Sequence, residues 1–364
     1  MNKTDSLNVL NCATLPANPV VAVAGATGAV GREMLLVLEQ RGFPAAEVRA
    51  LASARSAGQR INYNGSGASA NNDSNEGFLE VQEMTSESFQ GVDIALFSAG
   101  ASVSENMRTA VVKSGAVMID NSSAFRMHDD VPLVVPEVNP EAAFTHNGVI
   151  ANPNCSTIQM VVALAPLAQL APIKRIVVST YQAASGAGAK AMDELYSQTQ
   201  QFLNNEPLLI QNFAHQIAFN CIPQIDIFLD DGSTKEEWKM VVETKKIFNM
   251  PDIKVAANCV RVPVLRCHAE MINVEFSAPV SVQAARCALG AANGIQLIDD
   301  PNNKLYPMPG LLAGSDDVYV GRLHADTTVE HGLAFWCVAD QIRKGAALNA
   351  VQIAELLLRG QVSG

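Results

Sequence analysis

The chain has 364 residues, 48% hydrophobic and 17% charged, which is the composition of a globular protein long enough for two domains. Its formal net charge of -11 argues against a nucleic acid or an anionic membrane as a partner and leaves a small-molecule substrate. Seven cysteines, an odd number without a CxxC pair, argue against a disulfide framework or a zinc site. We therefore expect no metal and reduced thiols in the cytoplasm, with an organelle such as a plastid left open.

The first half of the chain alternates short apolar strands with amphipathic helices, which is typical of a parallel α/β sheet. Residues 1–19 precede this pattern without an apolar signal core, and we expect a flexible extension there. A segment rich in Gly, Ser and Asn, Asn62–Gly77, is predicted to be a surface loop. The predicted elements are Val20–Ala24 (strand), Gly28–Arg41 (helix), Val48–Ala52 and Ile94–Phe97 (strands), Val103–Lys113 (helix) and Val117–Ile119 (strand).

The second half contains more strands and fewer helices, which indicates an α+β domain. No run of 18 uncharged apolar residues occurs, so no transmembrane helix is expected. The predicted helices are Ser156–Leu167, Lys190–Gln200 and a C-terminal helix, Gln341–Leu358. The predicted strands are Ile173–Tyr181, Val255–Val260, Glu270–Phe276, Val318–Leu323 and Leu333–Val338.

A glycine-rich turn, Gly25-Ala-Thr-Gly28-Ala-Val-Gly31, lies between the first strand and the first helix. Its spacing is GxxGxxG and not the GxGxxG of the common dinucleotide fingerprint, but both turns suit phosphate binding for the same physical reasons. Glycines permit a tight turn, and the helix N-terminus offers unbonded N–H groups and a positive dipole end to phosphates. The turn predicts a cofactor site that includes Gly25, Thr27, Gly28, Ala29 and Val30, although a merely structural turn remains the alternative.

The end of the second strand indicates which dinucleotide would bind. NAD sites usually place an acid there to hold the ribose hydroxyls. This chain instead has Ser53, Arg55 and Ser56, a set suited to a 2′-phosphate, so NADP is predicted. The alternative is that Arg55 is a solvated loop residue.

Cys155 follows Asn152-Pro-Asn and precedes an apolar helical run, which places it in the first turn of a helix. There the helix dipole lowers the pKa of a thiol and makes the thiolate nucleophile accessible. A small apolar core residue is the competing interpretation. Cys259, Cys267, Cys287 and Cys337 lie in strand or helix patterns and are predicted to be packing residues.

Six motifs together resemble aspartate-semialdehyde dehydrogenase. They occur in order from about Val20 to the C-terminus, which makes the resemblance far more specific than any single motif. They are GATGAVG, the NPNCST around Cys155, YQAASGAG from Tyr181, EEWKM from Glu236, RVPVLRCH from Arg261 and DQIRKGAALNA from Asp340.

The resemblance implies a reaction and a catalytic set. A cysteine thiolate attacks aspartate semialdehyde, hydride passes to the nicotinamide, and phosphate cleaves the resulting thioester to aspartyl phosphate; the cell runs the reverse direction. By match, Cys155 is the nucleophile, His268 the general acid and base, and Gln182 orients the substrate. An imidazole suits that role because it titrates near the operating pH.

The implied substrate carries a carboxylate, an amine and an aldehyde or phosphate group, so it requires both cations and an anion. By match, the substrate ligands are Arg261 for the carboxylate, Glu236 for the amine, and Lys239, Arg126 and Asn154 for the phosphate. Glu236 and Lys239, i and i+3, share a face if they lie on a helix. Ser185, Gly186 and Gln341 are implied to approach the cofactor.

The expected architecture is α/β, with a Rossmann-like NADP-binding domain at residues 20–154 plus 342–364. An α+β substrate and dimerisation domain is expected at residues 155–341, and the resemblance implies a homodimer or homotetramer. Arg261 and His268 are seven residues apart, a spacing that would place them on opposite faces of an unbroken strand. Pro263 suggests that the strand is interrupted.

Two rival enzymes and one non-catalytic class of protein compete with this assignment. N-acetyl-glutamyl-phosphate reductase shares the chemistry but usually has an NPGCYPT-like motif around its cysteine. Glyceraldehyde-3-phosphate dehydrogenase is more distant, since its SCTTNC-like motif is absent. A non-catalytic NADP-binding sensor would have no need of Cys155, Gln182, Arg261 and His268 at these positions.

Overall fold

The structure is a computed structural model that describes residues 15–68 and 77–360. Most of the predicted extension at residues 1–19, and part of the predicted loop Asn62–Gly77, lie outside these ranges. The chain divides into two compact units. The first comprises Met1–Val134, Pro140–Asn152 and Ala350–Gly364, and the second comprises Val135–Asn139 and Pro153–Asn349.

The first unit is built on a seven-stranded sheet with the order β3-β4-β2-β1-β5-β6-β7. Its pairings are parallel except for the edge pair β3–β4, which is antiparallel. The elements are β1 (Val20–Ala24), α1 (Ala29–Gln40), β2 (Glu47–Ala52), β3 (Arg60–Asn62), β4 (Phe78–Glu83), β5 (Ile94–Phe97), α2 (Ala101–Lys113), β6 (Val117–Asp120) and β7 (Val149–Ala151).

The central strands of this sheet are apolar because both of their faces are covered. All residues of β5 and β6, and all but the first of β1, are buried. In α1 the buried positions include Met34, Leu35 and Leu38, which recur with helical spacing on one face. Continuous apolar strands beside one-sided helices are what a covered parallel sheet requires.

The second unit is built on a six-stranded mixed sheet with the order β11-β12-β13-β10-β8-β9. The helix α3 packs against β10, β12 and β13 and against the helices α5 and α6. The elements are α3 (Cys155–Ala168), β8 (Ile173–Gln182), α4 (Ala189–Leu203), α5 (Lys235–Ile247), β9 (Lys254–Arg261), β10 (His268–Phe276), α6 (Val282–Ala291), β11 (Ile295–Leu297), α7 (Pro309–Leu312), β12 (Val318–Asp326) and β13 (Gly332–Ala339). The last helix, α8 (Leu348–Arg359), belongs to the first unit from Ala350 onward.

The predicted α/β class, with a parallel sheet in the first part and a second sheet domain, is confirmed. The C-terminal helix differs from the prediction at its start. A π-helical turn, Arg343–Ala347, precedes α8, so Gln341 lies before the helix and not in it. The Asp340 carboxylate accepts from the backbone N–H groups of Ile342 and Arg343 and thereby begins the turn.

No helix in the described part of the chain is long and apolar enough to cross a membrane.

Candidate active site

The glycine-rich turn has the geometry of a phosphate-binding loop. Gly25 has φ +85°, and a side chain there would lie 2.4 Å from the carbonyl oxygen of Ser98, so glycine is required. Gly28 caps α1 without a side-chain hydrogen bond, which leaves the N-terminus of a 12-residue helix open to an anion. The residues of this turn therefore fit a dinucleotide.

The segment predicted to select NADP follows β2 directly. Ser53 precedes a single 3₁₀ turn, Ala54–Ser56, in which Arg55 is exposed and Ser56 is buried. An exposed guanidinium beyond the carboxyl end of a parallel strand lies where dinucleotide ligands of such sheets bind.

In the second unit, Asn154 fixes the start of the helix that carries Cys155. Its side-chain oxygen accepts from the N–H groups of Ser156 and Thr157 at 3.0 and 3.2 Å, so Cys155 is the first helical residue. The structure thus confirms the predicted position in the first turn. Cys155 is partly exposed, as a nucleophile must be.

The Glu236 carboxylate joins three of the predicted site residues. Its Oε1 accepts from Asn154 Nδ2 at 2.9 Å and from Gln182 Nε2 at 3.1 Å, and its Oε2 accepts from Lys239 Nζ at 3.0 Å. Burial alone would raise the pKa of Glu236, but the Lys239 charge and the hydrogen bonds outweigh burial and lower it. Lys239 also donates to Asp226 at 2.7 Å.

The convergence of Arg261 and His268 is explained by strand order. The two residues do not share a strand, because β9 ends at Arg261 and β10 begins at His268. Both strands flank β8, whose last residue, Gln182, is paired with Arg261, while its neighbour Tyr181 is paired with Ala269. The ends of three adjacent strands therefore bring Arg261, Gln182 and His268 together.

The backbone of Ala183 holds both the arginine and the histidine. Its carbonyl oxygen accepts from Arg261 Nη1 at 2.7 Å, and its N–H donates to His268 Nδ1 at 3.0 Å. A ring that accepts at Nδ1 carries its hydrogen on Nε2 when neutral. Burial, and then the Arg261 charge, hold the pKa of His268 well below its usual range, so the neutral form prevails at physiological pH.

Arg261 lies within electrostatic reach of Cys155. Burial lowers the pKa of this arginine, whereas the charges of Glu236 and Cys155 oppose the change. A guanidinium beside the thiol favours the thiolate.

Three residues predicted to approach the cofactor lie in the second unit with these groups. A side chain on Gly186 would lie 2.8 Å from Arg261 Nη1 and 3.0 Å from His268 Nε2, so the glycine permits the close approach of this loop. Gln341 Nε2 donates to the Ser185 hydroxyl. Arg126 lies in the first unit, where its Nη2 donates to the carbonyl oxygen of Asn121 at 3.0 Å.

Sequence reasoning missed two residues that position Cys155. Glu243 Oε2 accepts from the N–H of Asn154 at 2.6 Å, so α5 holds the cap of α3 through two carboxylates. The seven-residue spacing of Glu236 and Glu243 on one helix face was the available signal. Gly345, in the π-helical turn, approaches Cys155 so closely that a side chain would lie 2.7 Å from Cys155 Cβ.

Three of the four cysteines predicted to be packing residues have that role. Cys259, Cys267 and Cys337 are buried, and burial raises the pKa of Cys267 to about 12. The prediction is wrong for Cys287, which is exposed because it lies on the outer face of α6. The cysteines in the described ranges form no disulfide, and no cluster of three or more potential metal ligands occurs there.

Two family models match the two parts of the chain. The model described as "Semialdehyde dehydrogenase, NAD binding domain" matches residues 20–146. The model described as "Semialdehyde dehydrogenase, dimerisation domain" matches residues 164–344. The chain is therefore a semialdehyde dehydrogenase that uses a nicotinamide cofactor, and the second match supports a homodimer.

The relatives define the family more narrowly. The chain is 52% identical to aspartate-semialdehyde dehydrogenase of Aquifex aeolicus over 343 residues, which cover 93% of this chain and 98% of the relative. It is 50% identical to that of Bacillus subtilis, with 93% and 96% covered. The structure of aspartate semialdehyde dehydrogenase II complexed with ASA from Vibrio cholerae matches with a TM-score of 0.89 at 48% identity, covering 94% of this chain and 98% of that one. The chain belongs to the aspartate-semialdehyde dehydrogenase family.

A substitution at Gly345 tests the close packing around the nucleophile. Because a new Cβ would overlap Cys155 Cβ, Gly345→Ala should displace the thiol and lower kcat roughly 10- to 100-fold, with dinucleotide binding retained. The measurement is steady-state turnover together with dinucleotide titration. Gly290→Ala is the control, since that helical position has open space for a methyl group. Equal activity of both variants would contradict the packing argument.

A second test concerns Glu270, a fully buried residue two positions after His268. Neither carboxylate oxygen has a hydrogen-bond partner of normal geometry among the described residues. Burial raises the pKa of Glu270 well above its ordinary value of 4.5, and Gln159 opposes the change only in part. The folded protein therefore keeps a proton that the unfolded chain releases, and its stability falls as the pH rises above 4.5.

Glu270→Gln removes this titration. The free energy of unfolding of the variant minus that of the unchanged protein should therefore grow between pH 5 and 7. The growth is up to about 1.4 kcal/mol per pH unit. Denaturant unfolding at fixed protein concentration measures it. Glu275→Gln, on the same strand but paired with Lys174 at the surface, should show no such growth. A pH-independent difference for Glu270→Gln would mean that this carboxyl ionises in the folded state.

Proposed function

We propose that the chain catalyses the reversible NADPH-dependent reductive dephosphorylation of L-aspartyl-4-phosphate to L-aspartate 4-semialdehyde through a thioester on Cys155. The observation that carries this proposal is the position of Cys155 at a helix N-terminus within electrostatic reach of Arg261. The product would supply lysine, threonine, methionine and isoleucine biosynthesis, and diaminopimelate. The substrate name agrees with the relatives' names.

Cys155 would act as the thiolate. The N-terminus of the 14-residue helix α3 and the guanidinium of Arg261 both stabilise negative charge on sulfur. Attack on the acyl phosphate forms the carbon–sulfur bond and releases phosphate. Both carboxylates that hold the Asn154 cap keep the sulfur in place for that attack.

His268 would exchange a proton with the substrate oxygen. Because Nδ1 is occupied by the Ala183 N–H, proton exchange runs through Nε2, whose hydrogen can stabilise the developing oxyanion. Gln182, held between Thr180 and Glu236, would orient the same carbonyl.

The remaining polar groups suit the rest of the substrate. Arg261 would bind the α-carboxylate through its guanidinium fork, which Ala183 orients. Glu236, held in its charged form by Lys239, would bind the amine. Lys239 and Arg126, with Asn154, would bind the phosphate group.

NADP would be held by the predicted NADP-binding domain, residues 20–154 plus 342–364, through the glycine-rich turn and Ser53, Arg55 and Ser56. Ser185, Gly186 and Gln341 would approach it from the catalytic domain. When bound, the nicotinamide supplies or accepts the hydride. We further infer a cytoplasmic homodimer, with a homotetramer as the alternative.

The decisive experiment is NADP reduction by the purified protein with aspartate semialdehyde, with and without inorganic phosphate. Turnover should require phosphate, because only phosphate returns the thioester to an acyl phosphate and regenerates Cys155. Cys155→Ala should abolish turnover and retain NADP binding. Absence of turnover in a protein that binds NADP would favour N-acetylglutamate semialdehyde as substrate and then a sensor.

Cofactor preference is tested at Arg55. Arg55→Ala should narrow the preference for NADP over NAD roughly ten- to a hundredfold, since a charge-assisted contact contributes about 1.5–3 kcal/mol. The ratio of kcat/KM values for the two dinucleotides measures it. Arg60→Ala, an exposed arginine stacked on Phe78, should leave the ratio unchanged. An unchanged ratio for Arg55→Ala would place the 2′-phosphate elsewhere.

A further inference from the structure

The residue before His268 has an unusual backbone conformation. Cys267 has φ +75°, in the left-handed region that residues with a side chain rarely adopt. It is also fully buried, packed with Ala269 and Val338. Such a conformation persists only where surrounding contacts impose it, and an outlier of this kind adjoining a candidate catalytic group calls for a functional explanation.

The contact that imposes it comes from Gln341. The side-chain Oε1 of Gln341 accepts from the Cys267 N–H at 2.9 Å, and its Nε2 donates to the Ser185 hydroxyl. Gln341 is only 3% exposed, so its amide is committed to these two partners and not to water. The same amide therefore links the turn before His268 to the loop that follows β8.

The neighbouring residues reinforce this connection. Asp340 Oδ2 accepts from Arg266 Nε at 2.6 Å and from the Gly314 N–H at 2.7 Å. The two residues that follow β13 thus hold the two residues that precede His268. His268 itself is paired with Ala339, the last residue of β13. The contacts of Asp340 and Gln341 therefore lie next to the backbone of His268.

We propose that Gln341 is a positioning residue for the proposed reaction: it holds Cys267 in the left-handed conformation and thereby aims His268 Nε2 at the substrate. The proposal rests on the proposed function for what His268 does. Without the Gln341 contact, Cys267 would relax to a negative φ and rotate the peptide that joins it to His268. The ring would then lose the Ala183 N–H bond that sets its hydrogen on Nε2.

Gln341→Ala tests this directly. It should lower kcat roughly 10- to 100-fold, with the KM for the dinucleotide changed less than about threefold. Cys267→Gly added to Gln341→Ala should recover at least about tenfold of the loss, because glycine adopts a positive φ without side-chain strain. Cys337→Gly added to Gln341→Ala is the matched control: it also truncates a buried cysteine, but in the extended backbone of β13, and should recover nothing.

A measurement independent of turnover completes the test. The ¹⁵N resonances of the His268 ring in the ligand-free protein should report hydrogen on Nε2, should change in Gln341→Ala, and should return in the double variant with Cys267→Gly. If Gln341→Ala does not fold, Gln341→Asn, which keeps an amide one methylene shorter, is expected to behave alike.

A raised KM for the dinucleotide with unchanged kcat, unchanged ring resonances and no recovery by glycine would overturn the proposal. Gln341 would then act only through its proposed contact with the cofactor. Inactivity of the unchanged protein towards aspartate semialdehyde would instead overturn the proposed function. The ring resonances would still decide whether Gln341 positions the histidine.

Discussion

The buried carboxylate of Glu236 is the contact on which the catalytic unit depends. It receives hydrogen bonds from the cap of the helix that carries Cys155, from the end of strand β8 and from Lys239. A buried carboxylate is tolerated only when it is paired and hydrogen-bonded, and these three donors satisfy it. The three donors come from three separate elements. The carboxylate that a substrate amine would need therefore also fixes the distances between α3, β8 and α5.

Backbone groups, as well as side chains, orient the residues of the site. Ala183 orients Arg261 through its carbonyl oxygen and His268 through its N–H, so the backbone of one residue orients two functional groups. Glycines at 186 and 345 make room for this arrangement, and the left-handed Cys267 turns the chain into His268. The site thus contains both local backbone strain and close backbone approach, as expected where geometry must be held against relaxation.

Much of the architecture was predicted from the pattern of apolar and polar residues along the sequence. The four central strands of the first unit, β1, β2, β5 and β6, were predicted within a residue or two, because a covered parallel strand is a continuous apolar run bounded by turn residues. The strands β3, β4 and β7 were missed, because β3 and β7 have only three residues each and three of the six residues of β4 are polar. The π-helical turn before α8 was missed because helical spacing does not distinguish a π turn from the α-helix that follows it.

The sequence by itself determined the glycine-rich turn, the cap that places Cys155 at a helix N-terminus and the motifs that indicate the family. These are local features, set by residues a few positions apart. Only the tertiary structure decided how Arg261 and His268 meet, because that depends on β9 and β10 lying on opposite sides of β8. The roles of Glu243, Gly345 and Cys267 likewise arise from contacts between residues distant along the chain, which neither periodicity nor spacing encodes.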